Sequence, residues 1–569
     1  MDYSLKDFHF LVVDDFGNYR TSLVAMISEG GVPGHQIDTA SNGKDALTLL
    51  ESKRYDVVLC DFHLGEGKDG QQVLEESRTR QILGYSTIFI MITAETARTM
   101  VLSVVENRPD DYLTKPFSRT VLADRLFRLA AEKEGLVQVD RALEMKSTKR
   151  ALSCLNQLIA KRTETPMELL RIKAEILEKT RNFDHALGIY DDVLKDRELL
   201  WALLGRGRVL FQQGQYEESV SYFKQVLEAN DAYNVARDWM AKALVKMGEG
   251  AQAQKILEDA VGQSPKVLRR QKLLATVAES NNDLEVATSA YEKTVRLGTY
   301  SLFREVSDYT GYSAVLLECG EPNKALKNLG KARQNFAGDP GAQMETALQE
   351  NQTYGHMGNT READKSLQRA SESFKKRTGS IDTQTALKLA TQITENSQGL
   401  DFRSEGLEGL SAKVAKQKSE KRRESNKNMV KEILSQVIQT NHDDTQVHEE
   451  IFDLAEQIGI EGEERDEINS ARKEVLKLNS EGVGYYKNGN LGEAVEILYK
   501  AADRLPGNRV VNLNAAQAIM GLIVKQGVTE ERIGMVDDCL SRIPPENQDR
   551  RYEKLQDLFE QFVHKLPKS

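Results

Sequence analysis

The sequence predicts two architectures in series: a doubly wound α/β domain over about residues 1–130, then a long all-helical array. Three observations carry this reading. Short β-branched runs alternate with amphipathic stretches up to about residue 130. Strand signals vanish beyond residue 135. Small residues then recur at a step near 34. A chain of 569 residues exceeds one ordinary domain, and 40% hydrophobic with 29% charged residues describes a globular protein with ample core.

The bulk charge narrows the function. A formal net charge of −10 runs against general attraction to phosphate backbones, so nucleic acid is not the expected partner. Cys60, Cys154, Cys319 and Cys539 stand alone, with no C-x-x-C, which suits a reducing cytoplasm better than a disulfide framework or zinc site. The opening "MDYSLKDFHF" lacks a basic n-region and apolar core, and no window reaches the roughly 20 apolar residues of a span. The expected location is cytoplasmic.

In the first domain the strand candidates are "FHFLVVDD", "QIDTAS", "YDVVLCD", "STIFIMIT" and "DDYLTK". Between and after them lie "NYRTSLVAMISE", "NGKDALTLLESK", "DGQQVLEESRTRQIL", "ETARTMVLSVVEN" and "SRTVLADRLFRLAAEK". Such alternation means β-α-β units and a parallel sheet with helices on both faces. Five strands and five helices fit a flavodoxin-like (β/α)5 domain, in which ligands bind at the carboxyl ends of the strands. Those ends carry Asp14-Asp15, Asp61, Thr93 and Lys115-Pro116. Three carboxylates converging on one rim repel one another unless a cation sits among them, and hard oxygen donors suit Mg²⁺.

The stretch "DFHLGEGKDG" contains a G-x-G-x-x-G at Gly65, Gly67 and Gly70. A dinucleotide fingerprint belongs after the first strand and brings a pyrophosphate to the backbone. Here it follows the third strand, behind an acid that would repel the pyrophosphate. The glycines read instead as a flexible rim loop, with Asp69 as the N-cap of the next helix.

Asp14, Asp15, Asp61, Thr93 and Lys115, each at its own strand end, make this segment resemble the CheY-like receiver domain of bacterial two-component response regulators. The resemblance spans about residues 6–130. It implies that Asp61 is the phosphoacceptor, that Asp15 binds Mg²⁺ directly, and that Asp14 acts through water. It further implies that His63 lends the metal a backbone carbonyl and that Thr93 reaches a phosphoryl oxygen. Lys115 would pair with the acceptor and then with the phosphoryl group, and Tyr112 would turn inward behind Thr93 as the aromatic switch. The Lys115–Pro116 bond would be cis. His63 and Glu95 occupy positions where the family tunes hydrolysis. Gly65 replaces the family's usual proline, and the loop to Asp69-Gly70 is one residue longer than the commonest pattern.

In the helical region a small residue is followed twelve positions on by Ala or Ser, then four further by a large apolar residue. The series is Ala174/Ala186/Tyr190, Gly207/Ser219/Phe223, Ala241/Ala253/Leu257, Ala275/Ala287/Tyr291, Ser313/Ala325/Leu329 and Asn351/Ala363/Leu367. Successive units step by 33, 34, 34, 38 and 38 residues, and Gly482/Ala494/Leu498 forms a later unit. Paired helices approach closely only where side chains are small, and a period near 34 resembles the tetratricopeptide repeat (TPR). The resemblance implies a superhelix that binds a peptide or partner helix. The steps of 38 imply longer helices or turns in the fifth and sixth units, and Asn351 implies a distorted sixth. Tyr300, Tyr309 and Tyr312 read as core more readily than as groove lining.

The expected division is 1–130 receiver, 131–165 helical linker, 166–376 TPR array, 377–430 partly basic linker and 431–569 a further helical region. The basic run at 413–427 keeps open one alternative, a transcriptional or RNA-directed regulator. The main reading is a response regulator of a phosphorelay. A separate histidine kinase or phosphotransfer protein would charge Asp61, and the phosphoryl group would gate protein–protein contacts of the repeats. No P-loop and no H-E-x-x-H occur, so no enzyme activity is expected beyond self-catalysed aspartyl phosphorylation and dephosphorylation. Receivers and helical arrays both dimerise readily, which leaves a homodimer open.

Overall fold

The computed structural model describes residues 5–65, 67–94, 109–145, 147–161, 166–301, 303–376, 382–399, 410–440, 445–506, 508–543 and 550–563. Two compact units emerge, Met1–Cys319 and Gly320–Ser569.

The first unit opens with strands β1 (Phe10–Val13), β2 (Ile37–Ala40), β3 (Val57–Asp61), β4 (Ile88–Thr93) and β5 (Asp111–Thr114), all parallel in the order β2-β1-β3-β4-β5. That is the flavodoxin-like order, reached because right-handed crossovers lay helices on alternate faces. β1, β3 and β4 are buried at every position, so their sequences are continuous apolar runs rather than alternations. Helix α1 (Gly17–Glu29) buries Leu23 and Ile27 against one face, joined there by Leu122, Leu126 and Leu129 of α4 (Arg119–Glu132). The opposite face is covered by α2 (Gly43–Ser52) and α3 (Gly70–Thr79), through Ala46, Leu47, Leu50, Val73 and Leu74. Asn42 and Asp69 cap α2 and α3, and Gln72 completes a capping box at the latter. The helix expected over 95–107 lies outside the described residues, as does Glu95.

Helices α5 (Leu136–Glu144) and α6 (Thr148–Lys161) follow, then paired helices α7 (Met167–Lys179) and α8 (Phe183–Asp196), α9 (Leu200–Gln212) and α10 (Tyr216–Ala229), α11 (Asn234–Lys246) and α12 (Gly250–Gln263), and α13 (Leu268–Ser280) and α14 (Leu284–Gly298). The unit closes with α15 (Val306–Glu318). The small residues sit where the helices meet. Ala174, Ala186, Ala241, Ala253, Ala275 and Ala287 are fully buried. A Cβ on Gly207 would lie 2.5 Å from the Phe223 ring. Ser219 keeps its hydroxyl satisfied by donating to the Gly207 carbonyl at 2.8 Å. Tyr309 is buried and Tyr312 stacks on Tyr291, whereas Tyr300 is 57% exposed.

The second unit contains α16 (Pro322–Asn335), α17 (Pro340–His356) and α18 (Thr360–Lys376). Two of these helices are 17 residues long, against 13 or 14 in the earlier pairs from α7 to α13, and the extra length of α17 ahead of Asn351 accounts for one of the long steps. The other long step comes from the longer turn between α14 and α15. Asn351 fits without disruption, because its Nδ2 donates to the Ala363 carbonyl at 2.8 Å. Its amide makes across the helix pair the polar counterpart of the contact alanine makes elsewhere.

Within 377–430, read from sequence as linker, α19 (Thr383–Gly399) buries Ala386, Leu387, Leu389, Ala390 and Ile393. These pack with Met429, Val430, Ile433, Leu434 and Val437 of α20 (Leu410–Thr440). The buried face of α19 also takes in Gln392, Thr394 and Ser397, which breaks its apolar period in the sequence. Helices α21 (Thr445–Gln457), α22 (Glu463–Lys487), α23 (Leu491–Arg504), α24 (Arg509–Gln526), α25 (Glu530–Ser541) and α26 (Arg550–Val563) complete the chain. α23 to α26 share one core, in which Ala494 and Leu498 are buried, and a Cβ on Gly482 would meet Leu498 at 2.5 Å. Among the described residues no helix is long and apolar enough to cross a membrane. All four cysteines are free thiols.

Candidate functional site: an acidic rim with one lysine

The strand ends bring the expected residues together. Asp14 follows β1, and its backbone N–H donates to the Ala40 carbonyl at 3.2 Å. Asp61 is the last residue of β3, Thr93 the last of β4, and Lys115 follows β5. Carboxylate oxygens of Asp14, Asp15 and Asp61 all lie within 4.8 Å of one another. Asp14 is 0% exposed and Asp61 7% exposed, while Asp15 faces solvent.

Lys115 Nζ bridges two of the acids, donating to Asp14 Oδ2 at 2.8 Å and Asp61 Oδ2 at 2.9 Å. The Lys115–Pro116 peptide is cis, as expected. The Lys115 backbone N–H donates to the Thr93 carbonyl at 2.8 Å, so the lysine and the buried threonine share one backbone tie. Burial pushes the Asp61 carboxyl above the ordinary range and Asp14 adds to it, outweighing the pull of Lys115. Lys115 is held above its ordinary value because its two carboxylate bonds outweigh its burial. Among the described residues one ammonium meets three carboxylates, which leaves negative charge uncompensated. A half-buried cluster of carboxylate oxygens of this kind fits a hard divalent cation.

The glycines of "GEGKDG" have local reasons. Gly65 and Gly67 have φ of +68° and +109°, backbone that side chains rarely adopt. At Gly70 a Cβ would lie 2.1 Å from the Asp61 carbonyl oxygen, so only glycine lets α3 start against the Asp61 backbone. His63 is exposed and packs edge-on against Phe62 at 5.0 Å. Tyr112 is half-buried, against the cluster containing Phe89 and Met91.

Sequence reasoning missed three neighbours. Tyr19 lies with its ring centroid 4.1 Å from Lys115 Nζ. The Arg20 guanidinium donates to the Asp14 carbonyl. Asp140, on α5, accepts the N–H groups of Tyr85 and Ser86 at 2.7 and 2.8 Å. The helical period of α1 puts position 19 near the rim and could have suggested the first. The last joins segments 54 residues apart and leaves no local signal.

The chain carries a response-regulator receiver domain followed by tetratricopeptide repeats. Residues 10–127 match the response regulator receiver domain, and residues 210–277 match the tetratricopeptide repeat. The transcriptional regulatory protein TcrA of Mycobacterium tuberculosis is 33% identical over 120 residues, which cover 21% of this chain and 45% of TcrA. The chain thus spans about half the length of that relative. The chemotaxis protein CheY-3 of Vibrio cholerae is 27% identical over 124 residues, 22% of this chain and 92% of CheY-3. Among solved structures, MamA is 19% identical over 30% of this chain and 95% of its own, with a TM-score of 0.27. The receiver domain supports a place in two-component phosphorelay signalling, and the repeats a role in protein interaction.

Proposed function

We propose that Asp61 accepts a phosphoryl group from a separate histidine kinase or phosphotransfer protein, and that this event gates protein contacts of the repeats. The observation that carries the reading is the Lys115 ammonium, 2.8 and 2.9 Å from two acids of a three-carboxylate cluster. Asp61 Oδ forms the new P–O bond while the donor's P–N bond breaks, and the imidazole keeps the electron pair and takes up a proton. Lys115 favours the ionised form of Asp61 against the effect of burial, then pairs with the phosphoryl oxygens. Asp14, Asp15, Asp61 and the His63 carbonyl would hold Mg²⁺, which supplies charge neutralisation at those oxygens. Thr93 would follow the new charge, and Tyr112 would turn into the space it leaves.

Continuity of the first unit supports gating. Asp140 ties α5 to the loop before β4, and Tyr85 packs against the cluster that contains Leu136, Leu169 and Ile172 and begins the repeats. Arg269 of α13 lies 3.6 Å from Glu75 and 3.5 Å from Thr79 of α3, whose first residue abuts Asp61. For this function the division into 1–130, 131–165, 166–376, 377–430 and 431–569 is retained as receiver, linker, array, connector and C-terminal region. The kinase and a peptide or protein ligand of the repeats are the partners.

The regulator acting on DNA or RNA through 413–427 has less support. Arg422 pairs with Asp364 at 3.3 Å and Lys427 with Glu464 at 2.6 Å, so part of the basic run is already neutralised. Intact mass after incubation with Mg²⁺ and acetyl phosphate tests the main reading. A phosphoryl adduct on the wild type, lost in Asp61→Ala and without Mg²⁺, is expected. No adduct under any condition refutes it.

A further inference from the structure

We infer that Tyr19 is a positioning residue for phosphoryl transfer, holding the Lys115 ammonium against the acceptor through the face of its ring. The inference rests on the phosphoacceptor reading above and adds a residue to it. Lys115 Nζ stands 4.1 Å from the Tyr19 centroid, well inside the roughly 6 Å over which a ring quadrupole attracts a cation. The same nitrogen contacts Asp14 and Asp61. Two carboxylates and one aromatic face therefore hold the ammonium.

The ring itself is braced. Phe117, the second residue past the lysine, meets Tyr19 edge-to-face at 6.4 Å with an interplanar angle of 85°. An edge-to-face partner fixes the tilt of the ring it touches. Tyr19 is also packed among the residues at the margin of the core shared by α1 and α4. The braced ring thus spans from α1 to the segment after β5, with the lysine over one face.

The consequence is directional. A flexible lysine facing water on that side would sample rotamers that leave Asp61, and each excursion removes an ammonium that neutralises charge in the transfer. The ring face attracts the ammonium without offering an anion, so it does not compete with the incoming phosphoryl oxygens. A carboxylate at the same place would. Tyr19 acts only through Lys115 and takes no part in bond making.

The test uses the full-length chain with acetyl phosphate and Mg²⁺. Asp61 forms the P–O bond, the bond from phosphorus to the acetate oxygen breaks, and acetate leaves as the carboxylate. Position 19 is varied through Tyr19→Phe, then through difluoro-, trifluoro- and pentafluorophenylalanine, a near-isosteric series in which fluorine drains the ring face of negative potential. Adduct formation is followed by intact mass. The expected result is a rate that falls steadily with fluorination, with Tyr19→Leu roughly fivefold below Tyr19→Phe, the scale of a partly buried cation–ring contact. Equal rates across the fluorinated series would overturn the proposal, since packing alone is unchanged there.

A second measurement does not depend on phosphorylation. The ε-methylene of Lys115, observed by NMR, should be shifted upfield by the ring current relative to solvated lysines, and Tyr19→Leu should abolish the shift. Its absence in the wild type also overturns the proposal. A normal ring-current shift with no adduct on the wild type would sink the phosphoacceptor reading, and the positioning role would fall with it.

Discussion

Replacing Asp140 should loosen the junction between the receiver and the helices that follow. Its two carboxylate oxygens accept separate backbone N–H groups, from Tyr85 at 2.7 Å and Ser86 at 2.8 Å, and the residue is only 6% exposed. Asp140→Ala leaves both donors without their acceptor. A buried donor left unsatisfied costs about 1–3 kcal/mol, so the pair should cost about 2–4 kcal/mol once some water enters the gap. Asp140→Asn should recover no more than half, because its NH₂ faces one of the two N–H groups. The assay is urea unfolding of the full chain alongside hydrogen exchange at Tyr85, Ser86 and β4. Protection at those amides should fall selectively while exchange in α23 to α26 is unchanged. Unaltered protection at Tyr85 and Ser86 in Asp140→Ala would refute the reasoning. Arg54→Ala is the control: Arg54 and Glu144 form an exposed pair across the same junction, which should contribute less than about 1 kcal/mol.

Three further outcomes are expected. Gly70→Ala puts a methyl 2.1 Å from the backbone oxygen of Asp61, which cannot rotate away. It should cost about 1–3 kcal/mol in urea titration and slow adduct formation, and a wild-type rate would argue against a tight start to α3. Asn351→Ala fits the close helix approach but loses the bond to the Ala363 carbonyl, so it should destabilise the second unit by about 1 kcal/mol, measured by thermal unfolding. Glu345 is raised above its ordinary 4.5, chiefly by burial and then by Asp382 and Asp339. A carboxyl with a raised folded value favours the fold below its unfolded value and loses that contribution as pH rises through the folded one. Glu345→Gln should therefore raise the melting temperature at pH 7, with an advantage that fades in acid towards pH 4.5, and a lower melting temperature at pH 7 would count against it.

Much of the site was legible because strand ends are local features. Apolar runs ending in Asp14, Asp61 and Thr93 mark the carboxyl edge of a parallel sheet, and that edge gathers them whatever the loops do. The repeat series was legible for a similar reason: close helix approach demands small residues at fixed spacing, and Gly207 and Ala241 show the demand in their packing. Asn351 was misjudged, since spacing reports side-chain size and not a hydrogen bond that size makes possible. The helix over Thr383–Gly399 escapes the sequence pattern because its buried face mixes Leu387, Leu389 and Ile393 with buried Gln392, Thr394 and Ser397, a weak periodic signal rescued by packing against Val430 and Ile433.

By itself the sequence determined the class of the first domain, the chemistry gathered on its rim and the helical repeats behind it. All three follow from short-range pattern, in which strand length, helix period and residue type repeat within a few tens of positions. Only the tertiary structure decided that Lys115 also reaches Asp14, that Tyr19 lies under the lysine, that Gly70 is pressed against the Asp61 carbonyl, and that Asp140 ties the receiver to the helices after it. Apart from the Gly70 approach, these contacts join segments that are distant along the chain. Their free energy comes from burial and desolvation at the place where the segments meet, and that place exists only once the chain has folded.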